Sequence, residues 1–367
     1  MEQNQLKLIV SQFDVKGTVQ EIKPLGAGLI NDTFKVVTAE ADEPDYVLQR
    51  VNENVFPDVD MVMRNIGAVT DHIRKKLVEA GEDDIERKVL RFIPAKADDK
   101  LYAVVDGKFW RLMVFIPNAI TKQAVDPESS RDAGRAFGRF QAMLADIPVQ
   151  LGETIKDFHN MEFRLQQLRE VVSKDPVGRV SEPQVQVLLQ EIDARANEMC
   201  KAERMGREGI LPKRVCHCDT KVNNMMFNDR NEVLCVIDLD TVMPNFIFSD
   251  YGDFLRTGAN FVAEDCADMS AVGFNMEIFK AFTEGYLQSA RSFLLPVEIE
   301  NLPYAAALFP YMQCVRFLWD YLSGDKYWKC QYAEHNFVRA NNQFHLLLSI
   351  EAHYPEMQAF IQQCLAQ

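Results

Sequence analysis

The run "VCHCDTKVNN" at 215–224 brings His217, Asp219, Lys221 and Asn224 within one short stretch, and "VLCVIDLDT" at 233–241 adds Asp238 and Asp240 straight after apolar residues. Such a set is either a polar loop or a site that holds metal and phosphate, and the residues in between decide. "MMFNDRNEVLCVID" reads as a β-hairpin: Met225–Phe227 forms one arm, 228–231 is turn-rich, and Val233, Cys235 and Ile237 alternate along the other arm. Folding about that turn brings Asn224 and Asp238 to the open end. An amide oxygen beside a carboxylate is a pair of hard ligands suited to Mg²⁺, which keeps several waters and takes further ligands from substrate phosphates. Asp219, five residues before Asn224, can face the same space without being a ligand, as a general base must.

Other elements have to position this stretch. Upstream, β-type runs fall at 19–24, 33–38 and "YVLQRVN". Residues 57–80 carry Val59, Met63, Ile66, Val69, Ile73 and Leu77 at helical spacing, with Pro57 at the start and Gly81 at the end. "LYAVVDGKFWRLMVFI" predicts a hairpin turning at Asp106-Gly107. These elements make one small α+β lobe, 1–116. The remainder, 117–367, opens with a polar connector in which Asp126 is the expected N-cap and Pro127 the first helical residue. Ala133, Ala136, Phe137, Phe140, Met143 and Leu144 then form one apolar stripe, and the rest is mainly helical apart from the 215–241 region.

Composition narrows the function classes. Of 367 residues, 47% are hydrophobic and 26% charged, with 40 basic against 54 acidic side chains and a net charge of −14, the profile of a globular protein. That charge argues against a nucleic-acid or anionic-membrane surface and says nothing against a local phosphate pocket. No apolar run reaches the ~18 residues of a membrane span, and "MEQNQLKLIVSQFDVKG" lacks the order of a signal peptide. The eight cysteines are scattered, with no C-x-x-C, so neither a disulfide scaffold nor a zinc site is expected, and a reducing cytoplasm is the expected compartment.

His-x-Asp-x-Lys-x-x-Asn followed by Ile-Asp-x-Asp resembles the core of the protein-kinase-like phosphotransferases, above all the aminoglycoside phosphotransferase and choline kinase group. The resemblance implies a two-lobe fold, with a small N-terminal antiparallel-sheet lobe and a larger, mainly helical C-terminal lobe, and it implies ATP and Mg²⁺. It makes Asp219 the base that accepts the acceptor hydroxyl's proton, and Asn224 and Asp238 the metal ligands. His217 would brace the loop, and Lys221 would neutralise charge on the moving phosphoryl group. Asp240 would stand behind the metal ligands or hold a second ion. In "PLGAGLINDTF", Gly26 and Gly28 would let backbone N–H groups approach phosphate. Arg50 falls where these enzymes usually have a phosphate-contacting Lys, and its acidic partner from the following helix would be Asp60 or Asp71. Val114–Ile116 would be the hinge that meets adenine.

The last third carries a second resemblance. "CVRFLWDYLSGDKYWK", "HNFVRANNQFHLL", "GLINDTF" and "VIDLDTVMPNFIFSDYGDFLRTGAN" are similar to the bacterial N-acetylhexosamine 1-kinases, which phosphorylate the anomeric hydroxyl of N-acetylglucosamine or N-acetylgalactosamine. Arg316 and Asp320, four apart on an expected helix, share a face and could bond hydroxyl and amide groups together. Tyr327 and Trp328 offer faces on which a pyranose can stack. Trp319 stands where that family more often has a small polar residue. The expected partner is a small sugar, with no nucleic acid, membrane or obligate protein partner. A choline, amino-alcohol or aminoglycoside kinase is the competing reading, since the same aromatics could cage an amine. A non-catalytic nucleotide sensor is the reading from another class, and the presence of Asp219, Asn224 and Asp238 tells against it.

Overall fold

The computed structural model describes residues 3–26 and 31–366. The chain forms two compact units, one of Met1–Thr121, Asp146–Lys156 and Met225–Met243, the other of Lys122–Ala145, Asp157–Asn224 and Pro244–Gln367.

The first unit begins with α1 (Gln3–Val10), a helix that the polar N-terminal sequence did not announce. Its Leu6, Ile9 and Val10 share one side and are buried with Ile22, Leu48 and Trp110 in the core of the sheet. The strands are β1 (Val19–Pro24), β2 (Asp32–Thr38), β3 (Tyr46–Arg50), β4 (Phe92–Ile93), β5 (Ala103–Val105) and β6 (Lys108–Val114), paired antiparallel in the order β1-β2-β3-β6-β4 with β5 on β6. The β5–β6 turn uses Asp106 at φ 51° and Gly107 at φ 70°, the two positive dihedrals that a tight twisted hairpin needs. Between β3 and β4 lie α2 (Val59–Glu79) and the short α3 (Ile85–Lys88). Asp58 caps α2 by accepting from the Met61 N–H, and all six apolar positions expected on its buried side are buried there.

The second unit is mainly helical: α4 (Pro127–Leu144), α5 (Met161–Lys174), α6 (Pro183–Met199), α7 (Lys201–Arg207), α8 (Phe248–Gly258), α9 (Met276–Ala290), α10 (Pro296–Glu300), α11 (Leu302–Ser323) and α12 (His335–Ala366). Asp126 caps α4 in a reciprocal box with Ser129, with Pro127 in the first turn. α4 lies along α9, and α11 lies between α12 and α8. The α8–α11 crossing is a backbone contact, because a Cβ at Gly252 would collide with the Ala305 carbonyl oxygen. That crossing fixes where α8 presents its acidic side chains. The strand β7 (Arg214–Cys216) enters this helical frame.

The hairpin read from the sequence forms within the first unit as β8 (Met225–Phe227) and β9 (Val233–Val236), with Met225 opposite Val236 and Met226 opposite Cys235. Its turn is closed by Asn228, whose side-chain oxygen accepts from the Arg230 and Glu232 N–H groups. Among the described residues, no helix is long and apolar enough to cross a membrane.

One helix carries a pH dependence. Burial holds the Glu203 carboxyl of α7 up at about 7, against an ordinary value of 4.5. The native state then keeps a proton that the unfolded chain releases, so stability falls as pH rises from the ordinary carboxylate range through about 7. Glu203→Gln is expected to remove this part of the decline. Thermal melts at about pH 5 and about pH 8 should differ less for the variant than for the parent; equal differences would mean that the carboxyl titrates normally.

Candidate active site

The loop that carries Asp219 is anchored before it begins. Arg214, at the start of β7, donates from Nε and Nη2 to the two oxygens of buried Glu298, each at 2.7 Å. Beyond β7 the backbone turns through Cys218 at φ 63°, a left-handed conformation that an ordinary residue adopts only when its surroundings enforce it. Here the enforcement comes from Asp250 on α8. Its carboxylate accepts the N–H groups of His217 at 2.9 Å and Cys218 at 2.8 Å, together with the Gln141 amide of α4 at 2.8 Å. One turn on, Asp253 accepts the Thr220 N–H at 3.1 Å, and the Thr220 hydroxyl donates to the Asp250 carbonyl at 2.7 Å. Burial pushes both carboxyls up, opposed by His217 and the loop N–H groups at Asp250 and by Arg256 at Asp253.

His217 is fully buried, with Phe137 and Phe140 edge-on to its ring at 6.0 Å each. Its Nδ1 accepts the Asp219 N–H at 3.2 Å, so the imidazole holds the backbone of the residue expected to be the base. Asn224, in the short turn Val222–Asn224, donates its amide to the Asp219 carbonyl at 2.8 Å and to Oδ2 at 3.0 Å. The Lys221 ammonium lies 3.0 Å from the same Oδ2. Two donors therefore occupy Oδ2, and among the described residues Oδ1 has no hydrogen-bond partner. The side chain is 22% exposed. An oxygen free to accept a proton, on a carboxylate whose other oxygen is fixed, is what proton abstraction from a bound hydroxyl requires. Because the Asn224 nitrogen is spent on Asp219, its amide oxygen is the atom left for a cation.

The first unit places the other expected residues. Asp238 follows β9 at φ 60°, ψ 56° and leads into the turn Leu239–Thr241. Both oxygens of buried Asp240 already accept from protein donors, Oδ1 from the Arg111 guanidinium and Oδ2 from the Asn31 amide at 2.8 Å. Of its two expected roles, this geometry suits the supporting one. The buried cation of this unit is thus Arg111, whose Nε also donates to Gln49 at 3.0 Å. Arg50 faces Asp32 across the β2–β3 register and pairs with it at 2.7 Å. Its acidic partner is therefore not on α2: Asp60 is engaged by Arg64, Lys100 and Tyr102. Gly26 has φ 70°, as a tight phosphate-facing turn would need; Gly28 lies outside the described residues. The Val114 N–H, expected at the adenine hinge, donates to the Arg91 carbonyl at 2.9 Å, because β6 continues pairing to that point. Ile116 is buried.

In the second unit, Arg316 lies with its guanidinium 5.3 Å from the Phe158 ring and 5.2 Å from the Trp328 ring. Trp328 packs on Phe317 at 4.7 Å and Tyr327 on Trp328 at 4.6 Å, with Tyr327 itself 57% exposed. Trp319 meets Tyr327 edge-on at 6.4 Å. Asp320 differs from the expectation of a substrate-facing acid. It is fully buried, and its oxygens accept the N–H groups of Lys326, Tyr327 and Trp328 and the Asn336 amide, all within 2.8–3.0 Å. Its role is to hold the loop that presents Tyr327 and Trp328. Sequence reasoning had also passed over Asp250, Asp253, Gln141 and Arg111. The available signal was "SDYGDFLR", a helix in which two acids and an arginine sit among residues that are all buried.

The phosphotransferase enzyme family matches residues 21–285, well over half of the chain, and the chain belongs to that family. The arrangement of an N-terminal antiparallel sheet with a larger helical part is the kinase-like fold of these enzymes. A choline/ethanolamine kinase family protein from Mesorhizobium loti is similar over 99% of this chain and 100% of its own, at 15% identity and a TM-score of 0.61. Amicoumacin kinase, solved with AMP-PNP, Ca²⁺ and Ami, is similar over 95% of this chain and 93% of its own, at 13% identity and a TM-score of 0.57. Spectinomycin phosphotransferase, solved with ADP and spectinomycin, is similar over 97% and 99%, at 13% identity and a TM-score of 0.54. The protein is a small-molecule phosphotransferase that acts on hydroxyl acceptors.

Asp250→Asn puts an amide in place of a carboxylate that meets three donors. Leaving a buried donor unpaired costs about 1–3 kcal/mol, and the Asp219 loop should shift. The expected result is a lower Tm together with a fall in kcat of about 10²-fold or more. A variant with normal turnover would show that the loop holds its shape without this brace.

Proposed function

We propose that this phosphotransferase moves the γ-phosphoryl group of ATP, with Mg²⁺, to the anomeric hydroxyl of an N-acetylhexosamine, giving the sugar 1-phosphate. The observation that carries the phosphoryl-transfer chemistry is the Asp219 carboxylate, with Oδ2 held by Asn224 and Lys221 and Oδ1 available. Asp219 accepts the proton of the acceptor hydroxyl as its oxygen attacks phosphorus. Lys221, beside the base, reduces the build-up of negative charge on the transferring group. His217 fixes the loop through Nδ1, which accepts the Asp219 N–H. Asn224 and Asp238 would hold Mg²⁺ through an amide oxygen and a carboxylate, a donor set that suits a hard cation. When bound, that ion supplies positive charge to the phosphate oxygens. Gly26, Gly28 and Arg50 are the proposed phosphate contacts and Ile116 the proposed adenine contact. Arg111 and Asp240 form a buried pair in the same unit.

The choice of a sugar is supported by the resemblance of the long 236–260 block to N-acetylhexosamine 1-kinases and by the surroundings of Arg316. A guanidinium flanked by Phe158 and Trp328, with half-exposed Tyr327 beside it, offers hydrogen-bond donors and stacking faces to a pyranose with an amide. Asp320 contributes by holding that loop. Trp319, part of the same aromatic group, sets the pocket's size.

Asp219→Asn is expected to lower kcat by ~10²–10⁴ with nucleotide affinity retained, because it removes the base and leaves the metal ligands. Asp238→Ala should instead weaken Mg²⁺–ATP binding as well as turnover, and Asn224→Ala should do so more mildly. Calorimetric titrations with nucleotide separate the two outcomes, and an Asp238→Ala protein with unchanged affinity would remove Asp238 from the metal site.

The acceptor is tested by ADP release with ATP, Mg²⁺ and a panel of alcohols. N-acetylglucosamine and N-acetylgalactosamine should both react at the anomeric oxygen, glucose poorly and choline not at all, since a site that bonds an amide rejects analogues that leave its groups unpaired. Phosphorus–proton coupling identifies the position. A 6-phosphate product, or choline as the better acceptor, would overturn the sugar assignment and leave the kinase chemistry standing.

A further inference from the structure

The region around Arg316 contains more positive charge than its surroundings neutralise. Arg316 donates to Gln313 at 2.8 Å and interacts with Tyr327, yet has no carboxylate partner among the described residues. Arg164 on α5 donates from Nε and Nη2 to the Phe158 carbonyl, at 3.1 and 2.7 Å, and to Gln167 at 2.8 Å, again with no carboxylate partner. Arg339 on α12 lies over the Phe317 ring at 5.6 Å, and its Nε is buried without a hydrogen-bond partner. Arg316 and Arg339 are layered with Phe158, Trp328 and Phe317, and Arg164 is tied to the same group through the Phe158 carbonyl.

Three other arginines of this unit are paired with carboxylates. Arg256 has Asp253 and Glu264, Arg179 has Asp325, and Arg214 has Glu298. A chain with 54 acidic side chains and a net charge of −14 does not lack counter-charges, so the unpaired group is a local feature. Withdrawing guanidinium from water without a partner is unfavourable, and the strain is visible: burial and the nearby Arg316 pull Arg164 down to about 10, and burial also lowers Arg316. The cluster is tied to the helix that holds the Asp219 loop: Phe158 stacks on His159 at 4.3 Å, and His159 Nδ1 lies 2.5 Å from Ser249 Oγ of α8.

We propose that Arg164, Arg316 and Arg339 make the acceptor subsite repel cations: it takes alcohols that bring a carbonyl or carboxylate oxygen to Arg316 and rejects alcohols that carry an ammonium group. Arg316 meets the acceptor. Arg164 acts through it, both by charge and by holding Phe158, the ring on which Arg316 rests. The inference rests on the reading of this region as the acceptor pocket and deepens it, since it separates this chain by electrostatics from kinases that act on amines.

The test compares kcat/KM for N-acetylglucosamine, glucosamine, and glucosamine acylated with succinate, which keeps the amide and adds a carboxylate. The full-length protein should prefer N-acetylglucosamine to ammonium-bearing glucosamine by about a hundredfold or more and should accept the succinyl sugar at least as well as glucosamine. Arg164→Met should narrow the preference by improving glucosamine relative to the amide sugars, while Arg164→Lys, which keeps the charge and loses the fork on Phe158, should retain it. A merely structural role would lower all three sugars in parallel in both variants, and that result would overturn the inference. If the wider panel finds no hexosamine acceptor but a neutral or acidic alcohol, the sugar assignment fails and the electrostatic inference stands. If choline, ethanolamine or an aminoglycoside reacts within about tenfold of the best acceptor, the inference is overturned.

Discussion

A single buried carboxylate organises the site. Asp250 gathers the backbone of two loop residues and the amide of an α4 side chain, and without those bonds the left-handed turn at Cys218 would lack a reason to persist. Two of the three donors are main-chain N–H groups of a buried loop, so the penalty for losing the acceptor falls on the backbone itself. Its position depends on α8, and α8 depends on a glycine contact with α11. The geometry of the Asp219 loop is therefore set by helix packing at some distance from it in sequence.

That dependence explains which parts of the molecule could be read in advance. The β8–β9 hairpin, the caps at Asp58 and Asp126, and the buried side of α2 all follow from local rules of alternation, periodicity and turn chemistry, and they were legible. So was the cluster from His217 to Asn224, since the residue types needed for phosphoryl transfer stand close together in sequence. Asp250 and Asp253 were not, because an acid within a helix looks the same whether it faces water or a loop 33 residues away. The buried cation of the sheet was passed over for a related reason. Arg50 and Arg111 both lie in strands, and only the register, which sets Arg50 against Asp32 and turns Arg111 toward Asp240, separates an exposed pair from a buried one. Asp320 likewise looked like a ligand on a helix face, and tertiary folding made it an acceptor for its own chain.

Three aspartates show how one residue type serves opposite ends. Asp219 keeps an oxygen available because its neighbours occupy only the other one, whereas Asp240 and Asp320 have both oxygens committed. In the proposed chemistry, reactivity is a matter of incomplete satisfaction.

The loop after α11 is held by its main chain. Asp320 grips it through the N–H groups of Lys326, Tyr327 and Trp328, atoms that every residue except proline possesses. The attachment is therefore indifferent to what the side chains are. Such a loop works as a socket with exchangeable fittings: side chains at 327 and 328 can be traded by mutation without removing the bonds that anchor the main chain, and if they meet the acceptor as proposed, the taste in alcohols can change while the anchor stays.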